Sequence, residues 1–379
     1  MFDYEILRII WWTLIGILLM GFAVMDGFDL GAAALLPFIG RNDSERRIII
    51  NTVGPVWEGN QVWFILGGGA IFAAWPYLYA VAFSGFYAAM YVVLFALILR
   101  PVAFKFRSKM PDARWRSFWD WCLCAGGIIP PVVFGIAFGN VLQGVPFNLD
   151  ETMRMTYSGT FFDLLNPFGL LCGLIGLSLF LMQGAGWLAV KTDGVIEQRA
   201  RKCLIIFAST TILLFGIAGL FVINGLYGYA ITSTVTMSGP SNPLLKTVVR
   251  AAGAWINVYH KHPVAVAVPV SALLGTLLVF FGVKIRKPVI SFLGSSLSQI
   301  GTIGTAAVSM FPFLLPSSIN PNASLTVWDS SSSKGTLVTM TLVTIVFLPI
   351  VIIYTSWVYY VLRGKVTSAD IKKHGSSLY

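Results

Sequence analysis

The chain has 379 residues, of which 56% are hydrophobic and only 11% charged, and its mean hydropathy is +0.79. A soluble domain carries about 25% charged residues, so composition excludes a soluble enzyme or binding module and reads as a polytopic membrane protein. The formal net charge of +10 would suit a nucleic-acid surface, but the placement of the cations argues for membrane topology instead.

Nine apolar runs have the roughly 20 residues needed to cross a ~30 Å hydrocarbon core. They lie at about 8–30, 56–75, 79–99, 120–141, 165–190, 203–223, 264–283, 289–311 and 337–362. Twenty of the 26 Lys and Arg residues, among them Arg41, Arg46, Arg100, Arg107, Arg116, Arg199 and Lys372, fall in connections after odd-numbered runs. The other six are Arg8, Arg154, Lys246, Arg250, Lys261 and Lys334. The positive-inside rule then puts the N-terminus outside and the C-terminus in the cytoplasm, which requires an odd number of spans. The expectation is an all-α integral membrane fold of nine transmembrane helices forming one polytopic domain over 1–379. Its parts are helices 1–4 (1–141), helices 5–8 (142–311), and an outer loop, helix 9 and a cytoplasmic tail (312–379). No internal repeat relates helices 1–4 to 5–8. Asp3 and Glu5 precede the first run, so it lacks the basic flank of a cleaved signal and reads as a retained helix.

The first run begins among Trp11 and Trp12, residue types that anchor span ends, and reaches Met25-Asp26-Gly27-Phe28-Asp29. Asp26 and Asp29 are three apart and share a helical face. They are either intramembrane acids or an interfacial turn capping a helix that stops near Gly27. The second run opens on Trp57-Glu58-Gly59-Asn60-Gln61-Val62-Trp63. A charged side chain at membrane depth costs about 2.5–3.5 kcal/mol on insertion scales, so Glu58 must face protein, water or a counter-charge, be protonated, or lie among headgroups at the helix N-terminus. Topology brings Asp26, Asp29 and Glu58 to a similar depth, and Arg100 joins them from the end of the third run.

Gly67-Gly68-Gly69-Ala70 on the second run suits close helix packing or the approach of a flat ligand. Residues 101–119 interleave cations with aromatics, as a segment lying on anionic headgroups does. Pro130-Pro131 should kink or break the fourth helix, and Gly135-x-x-x-Gly139 follows with a close-packing spacing. The connections at about 142–164 and 224–263 carry turn chemistry and read as surface loops, with an ordered lid or partner contact as the alternative. On the eighth run Ser291, Ser295, Ser298, Thr302, Thr305 and Ser309 line one face, as packing with interhelical hydrogen bonds or a proton file would require.

Cys122, Cys124, Cys172 and Cys203 show no disulfide spacing and read as small buried residues. The histidines are His260, His262 and His374, all in connections or the tail, so no span offers a histidine pair for a haem. Phosphate-binding, zinc and nucleophile-elbow motifs are also missing, so a redox centre would have to come from a partner.

Several blocks resemble subunit II of the cytochrome bd-type quinol oxidases. They are Met25–Asp29, Arg41–Arg47, Trp57–Trp63, Phe83-Ser84-Gly85-Phe86-Tyr87, Arg100-Pro101, Phe138-Gly139-Asn140, Met310–Phe313 with Pro316-Ser317-Ser318, Asn322–Thr326 and the terminal Ser377-Leu378-Tyr379. The resemblance runs from end to end in the same order. It implies a multi-pass protein of the bacterial cytoplasmic membrane, built as two pseudo-symmetric four-helix bundles plus a ninth peripheral helix. Its implied partner, subunit I, bears two b-type haems and one d-type haem, oxidises quinol on the outer side and reduces O2 to water. The complex then generates a proton motive force without pumping. A small single-span accessory peptide is implied as a further partner, and no haem ligand or metal site is implied in this chain. Asp29 and Glu58 resemble the family's acidic pair on the cytoplasmic proton-uptake side; Asp26 and Arg100 match too, with Trp57, Asn60, Gln61 and Trp63 as neighbours. The implied role is to pass cytoplasmic protons onward, with Arg100 tuning the acids. Two other readings are a scaffold, in which the acids only pair with Arg100, and an ion-coupled secondary transporter with discontinuous helices, supported by Pro130-Pro131 alone.

Overall fold

Helix α1 runs unbroken from Tyr4 to Ile39 in the computed structural model, which describes residues 3–367, 369 and 371. Met25–Asp29 therefore lies inside a helix and is no interfacial turn. The expectations placed on Lys372, Lys373, His374 and Ser377–Tyr379 lie outside the described residues. The remaining α-helices are α2 (Asp43–Val53), α3 (Trp57–Ala74), α4 (Pro76–Gly85), α5 (Tyr87–Phe106), α6 (Ala113–Gln143), α7 (Pro167–Lys191), α8 (Gly194–Asn224), α9 (Asn257–Lys261), α10 (Ala267–Lys284), α11 (Pro288–Met310) and α12 (Lys334–Val361).

Among the described residues, seven helices are long and apolar enough to cross a membrane: α1, α5, α6, α7, α8, α10 and α12, two of them (α5 and α10) with a short 3-10 extension. The other two expected spans form helices in the expected places, but α3 carries Glu58, Asn60 and Gln61 within 18 residues, and α11 carries a ladder of hydroxyls. Polar content, rather than length alone, lowers their hydropathy. The third expected span is divided, since α4 and α5 meet at Phe86, whose backbone leaves the helical region. The unforeseen α2 is an amphipathic connector.

Pro130 and Pro131 do not break α6, which stays continuous over 31 residues. Each ring removes one backbone hydrogen bond of the ladder, yet the helix is held on both sides by close packing at Gly126 against Ala96 of α5 and at Gly127 against Leu30 and Ala34 of α1. The discontinuous helix that would favour a transporter is therefore not formed. Gly135 and Gly139 do pack α6 against α7, meeting the backbone of Cys172, Gly173 and Gly169. One half of the hydroxyl face of α11 packs on α10, where Ser298 bonds Thr276 at 2.9 Å and Ser291 donates to the Val279 carbonyl at 3.1 Å, while Thr302, Thr305 and Ser309 of the other half line a cavity. On α7, Gln183 donates to Ser296 at 2.9 Å.

One end of the bundle is covered by three antiparallel ribbons: β1 (Phe147–Leu149) with β2 (Met155–Tyr157), β3 (Tyr227–Ile231) with β4 (Val248–Ala252), and β5 (Phe313–Leu315) with β6 (Leu325–Thr326). The connections expected as plain loops are thus ordered. Lys246 and Asp329, both buried, pair at 2.8 Å between two of them. Arg8, fully buried, donates to the Met237 and Gly239 carbonyls and to Ser241 and Ser331, tying α1 to this cap. Trp11 is no interfacial anchor: its indole N–H reaches Thr341 of α12 at 3.0 Å.

The opposite end carries the basic connections. Buried Asp120 of α6 holds Arg107 and Arg46, and Asp43 holds Arg107 and Arg116. Two of the cations expected to meet headgroups are thus engaged with acids of the same chain. Asn42 caps α2 by accepting from the Glu45 N–H at 2.9 Å, while the Glu45 carboxylate accepts from the Arg41 N–H at 2.8 Å and from Arg199 at 2.6 Å, a near relative of the capping box. Burial pushes the Glu45 carboxyl up, but the Arg41 and Arg199 hydrogen bonds outweigh it and hold the group below its ordinary 4.5. A depressed carboxylate adds stability that is present above its unfolded value and lost as pH falls through the folded one. Amide exchange in α2, corrected for intrinsic rates, is therefore expected to accelerate on acidification below about pH 4.5. Glu45→Gln should exchange fast already at neutral pH and lack that acid step.

Candidate functional site

The inner seam of α3 is made by Trp57, Asn60, Gly67 and Ala74, spaced by three or seven and all buried. Residues two apart lie on opposite sides of a helix, so with Asn60 turned inward, Glu58 must point outward. It does: Glu58 is exposed and forms no hydrogen bond or ion pair among the described residues.

Asp26, Asp29 and Arg100 are all fully buried. Arg100 of α5 clasps Asp26 with both terminal nitrogens, Nη2 to Oδ1 at 2.9 Å and Nη1 to Oδ2 at 3.2 Å. This bidentate geometry is the strong form of such a pair, and it leaves Asp26 fully engaged. Arg100 thus forms its ion pair with Asp26. The guanidinium lies 5.9 Å from the ring of Trp57, which in turn stacks on Phe104 at 5.4 Å.

Asp29, one helical turn further along α1, has no ion pair. Its Oδ2 accepts from Asn60 Nδ2 at 2.7 Å, and its Oδ1 is buried without a hydrogen-bond partner. Asn60 Oδ1 accepts in turn from the hydroxyl of Tyr359 on α12 at 2.7 Å. Gln61 is half-buried and forms no hydrogen bond among the described residues. Trp63 packs flat on α1, where a Cβ at Gly21 would sit 2.5 Å from its ring. The cluster lies at one level: Asn60 is in the first turn of α3, Tyr359 in the last turn of α12, and Arg100 six residues from the end of α5. Asp29 is ten residues from the end of α1, roughly 15 Å, toward the basic end of the bundle.

Tyr359 was not legible as part of this site. Tyr354, Trp357, Tyr359 and Tyr360 together look like an interfacial aromatic belt, and three of them are, with 61–64% of their surface exposed. Only the spacing hinted otherwise, since Tyr359 alone falls on the face of α12 turned to the bundle.

A second concavity, an apolar cavity of about 410 Å³, lies among α1, α6, α7, α8 and α11, lined by residues such as Phe22, Phe134, Phe180 and Gln299. No carboxylate lines it, so it is separate from the acidic cluster. Gly68 and Gly69 of α3, by contrast with the close-packing expectation, meet nothing within 4 Å. They share the outward face with Glu58, Val62, Ile65 and Phe72.

The sequence profile of the cytochrome bd terminal oxidase subunit II family matches residues 7–362. The chain belongs to that family. It is 49% identical over its full length, and over the full length of the relative, to the cytochrome bd-I ubiquinol oxidase subunit 2 of Escherichia coli K12. It is 48% identical, again over both full lengths, to a probable cytochrome oxidase subunit 2 of Haemophilus influenzae. The Bacillus subtilis cytochrome bd ubiquinol oxidase subunit 2 is 31% identical over 95% of this chain and 97% of its own. A chain in the structure of the bd oxidase from Geobacillus thermodenitrificans shares the fold, with a TM-score of 0.71 at 15% identity, covering 94% of this chain and 98% of that one. As a bd oxidase subunit II, this chain is one component of an oxidoreductase complex, and the acidic cluster is read in that setting.

Proposed function

We propose that this chain is the second subunit of a quinol:O2 oxidoreductase of the bacterial cytoplasmic membrane and supplies its proton-uptake path from the inner side. The carrying observation is that Asp29 is buried with one oxygen unpartnered, while the neighbouring cation is spent on Asp26. In this reading the chain makes nine spans, counting α3, α4 with α5, and α11. Its ribbon-capped end faces out and its basic end faces the cytoplasm, as the cation distribution favours.

Reduction of O2 to water takes up protons while quinol oxidation releases as many elsewhere, and the haems of the complex, two b-type and one d-type, would supply that redox chemistry. The described histidines, His260 and His262, are exposed beside the ribbons and do not suit a buried haem. On this reading the haems sit in the partner, subunit I. Asp26 and Arg100 are the structural element, joining α1 to α5 by a neutral buried pair. Asp29 is the proton carrier, and drawing its protons from the cytoplasm separates charge without a pump.

The partner subunit docks on the outward face of α3 and α5. A carboxylate facing lipid is costly, so Glu58 meets the partner, where it joins the same path. Gly68 and Gly69 beside it allow a close helix approach. Quinol, O2 and a small single-span peptide complete the assembly. The test is affinity capture of the tagged chain. The unaltered chain should bring down a second large subunit and visible haem absorbance. Gly69→Val should cut both by about tenfold, the effect of losing ~1.4 kcal/mol of association. Gly216→Val, on an open face of α8, should not. Capture of the chain alone, without haem absorbance, would overturn the reading.

A further inference from the structure

We propose that Tyr359 is a positioning residue of the proton path: acting through Asn60, it decides which oxygen of Asp29 carries the exchanged proton. The inference rests on Asp29 being a proton carrier. The amide of Asn60 can present either its oxygen or its NH2 to Asp29. An ionised Asp29 can only accept, which draws the NH2 toward it, and the phenol hydroxyl donating to Asn60 Oδ1 at 2.7 Å holds the amide in that orientation when Asp29 takes up a proton. The NH2 is thereby turned to Asp29 and donates to Oδ2 at 2.7 Å. With Oδ2 occupied as an acceptor, a proton taken up by Asp29 rides on Oδ1. That is the oxygen with no hydrogen-bond partner among the described residues, free to hand the proton to water or to the partner subunit.

The device spans three elements. The groups facing Asp29 are Asp26 on its own helix, Arg100 on α5, Asn60 on α3 and the Tyr359 phenol on α12. Of these the first two neutralise each other in a bidentate pair, so the orientation of one amide is the main polar influence left. Without the phenol, Asn60 can turn over and offer its carbonyl, and the proton is then held between Oδ2 and the amide oxygen. An amide does not relay protons readily, so the path stalls.

The experiment uses the assembled oxidase and reads two signals: steady-state turnover against pH, and the infrared carbonyl band of the protonated carboxyl that disappears in Asp29→Asn. Tyr359→Phe is expected to shift that band, displace the pH profile and slow turnover about tenfold, less than the roughly 10²–10⁴-fold that the proton-transfer group itself contributes, with haem content unchanged. A second variant separates action through Asn60 from mere seating of α12. In an Asn60→Leu background, Tyr359→Phe should have no further effect on band or rate, since residues acting as one unit are non-additive. Two results would overturn the positioning role alone: an unshifted band and profile in Tyr359→Phe, or a fully independent effect in the Asn60→Leu background. Wild-type turnover in Asp29→Asn would overturn the carrier role itself, and this inference with it.

Discussion

Replacing Arg100 by methionine is expected to remove the assembled oxidase from the membrane rather than slow it. Arg100 and Asp26 are both fully buried and bound at two points. Taking away one partner of such a pair leaves an uncompensated buried charge, at a cost of about 3–5 kcal/mol. Against a folding stability of roughly 5–15 kcal/mol, that is enough to leave most of the chain unassembled. The double variant Asp26→Asn with Arg100→Met should recover most of the loss, because two neutral side chains of similar size restore charge balance. The check is the amount of haem-bearing complex per membrane and its thermal midpoint in detergent. A single variant with wild-type yield and midpoint would mean that the pair is not structural.

Asp29→Asn should behave in the opposite way, leaving assembly alone and stopping function. Asparagine keeps the shape of the side chain and an oxygen that can accept from Asn60, and the Asp26–Arg100 pair is untouched. What is lost is the ability to bind and release a proton. Turnover is expected to fall by at least about a hundredfold, the lower end of what a positioned proton-transfer group is worth, at unchanged haem per complex. The contrast between the two variants separates the carrier from the scaffold, two roles that residue types alone leave entangled.

Much of the fold was legible because a bilayer forces long apolar helices: eight of the nine expected runs are each a single helix, the third is divided at Phe86, and seven described helices are long and apolar enough to cross a membrane. The failures have specific causes. Pro130-Pro131 reads as a break because the helix packing that holds α6 together, at Gly126 against α5 and Gly127 against α1, is tertiary. The division at Phe86 and the three ribbons depend on how outer segments pair with one another, which hydrophobic periodicity does not encode. Within the site, Asp26, Asp29 and Arg100 announced themselves by being charged inside apolar runs, but which acid Arg100 would take depended on the helix contact. The outward turn of Glu58 followed from its distance of two residues from Asn60, a constraint present in the sequence once Asn60 is known to face α1. Tyr359 was hidden among aromatics that a membrane interface explains equally well.

The most direct test of the proton-uptake reading is time-resolved membrane-potential measurement on the reconstituted oxidase as it reduces O2. The electrogenic phase that reports proton uptake from the cytoplasmic side should be slowed severalfold or more in Asp29→Asn at full haem content, in line with loss of a proton-transfer group. A phase of wild-type rate and amplitude in that variant would contradict it.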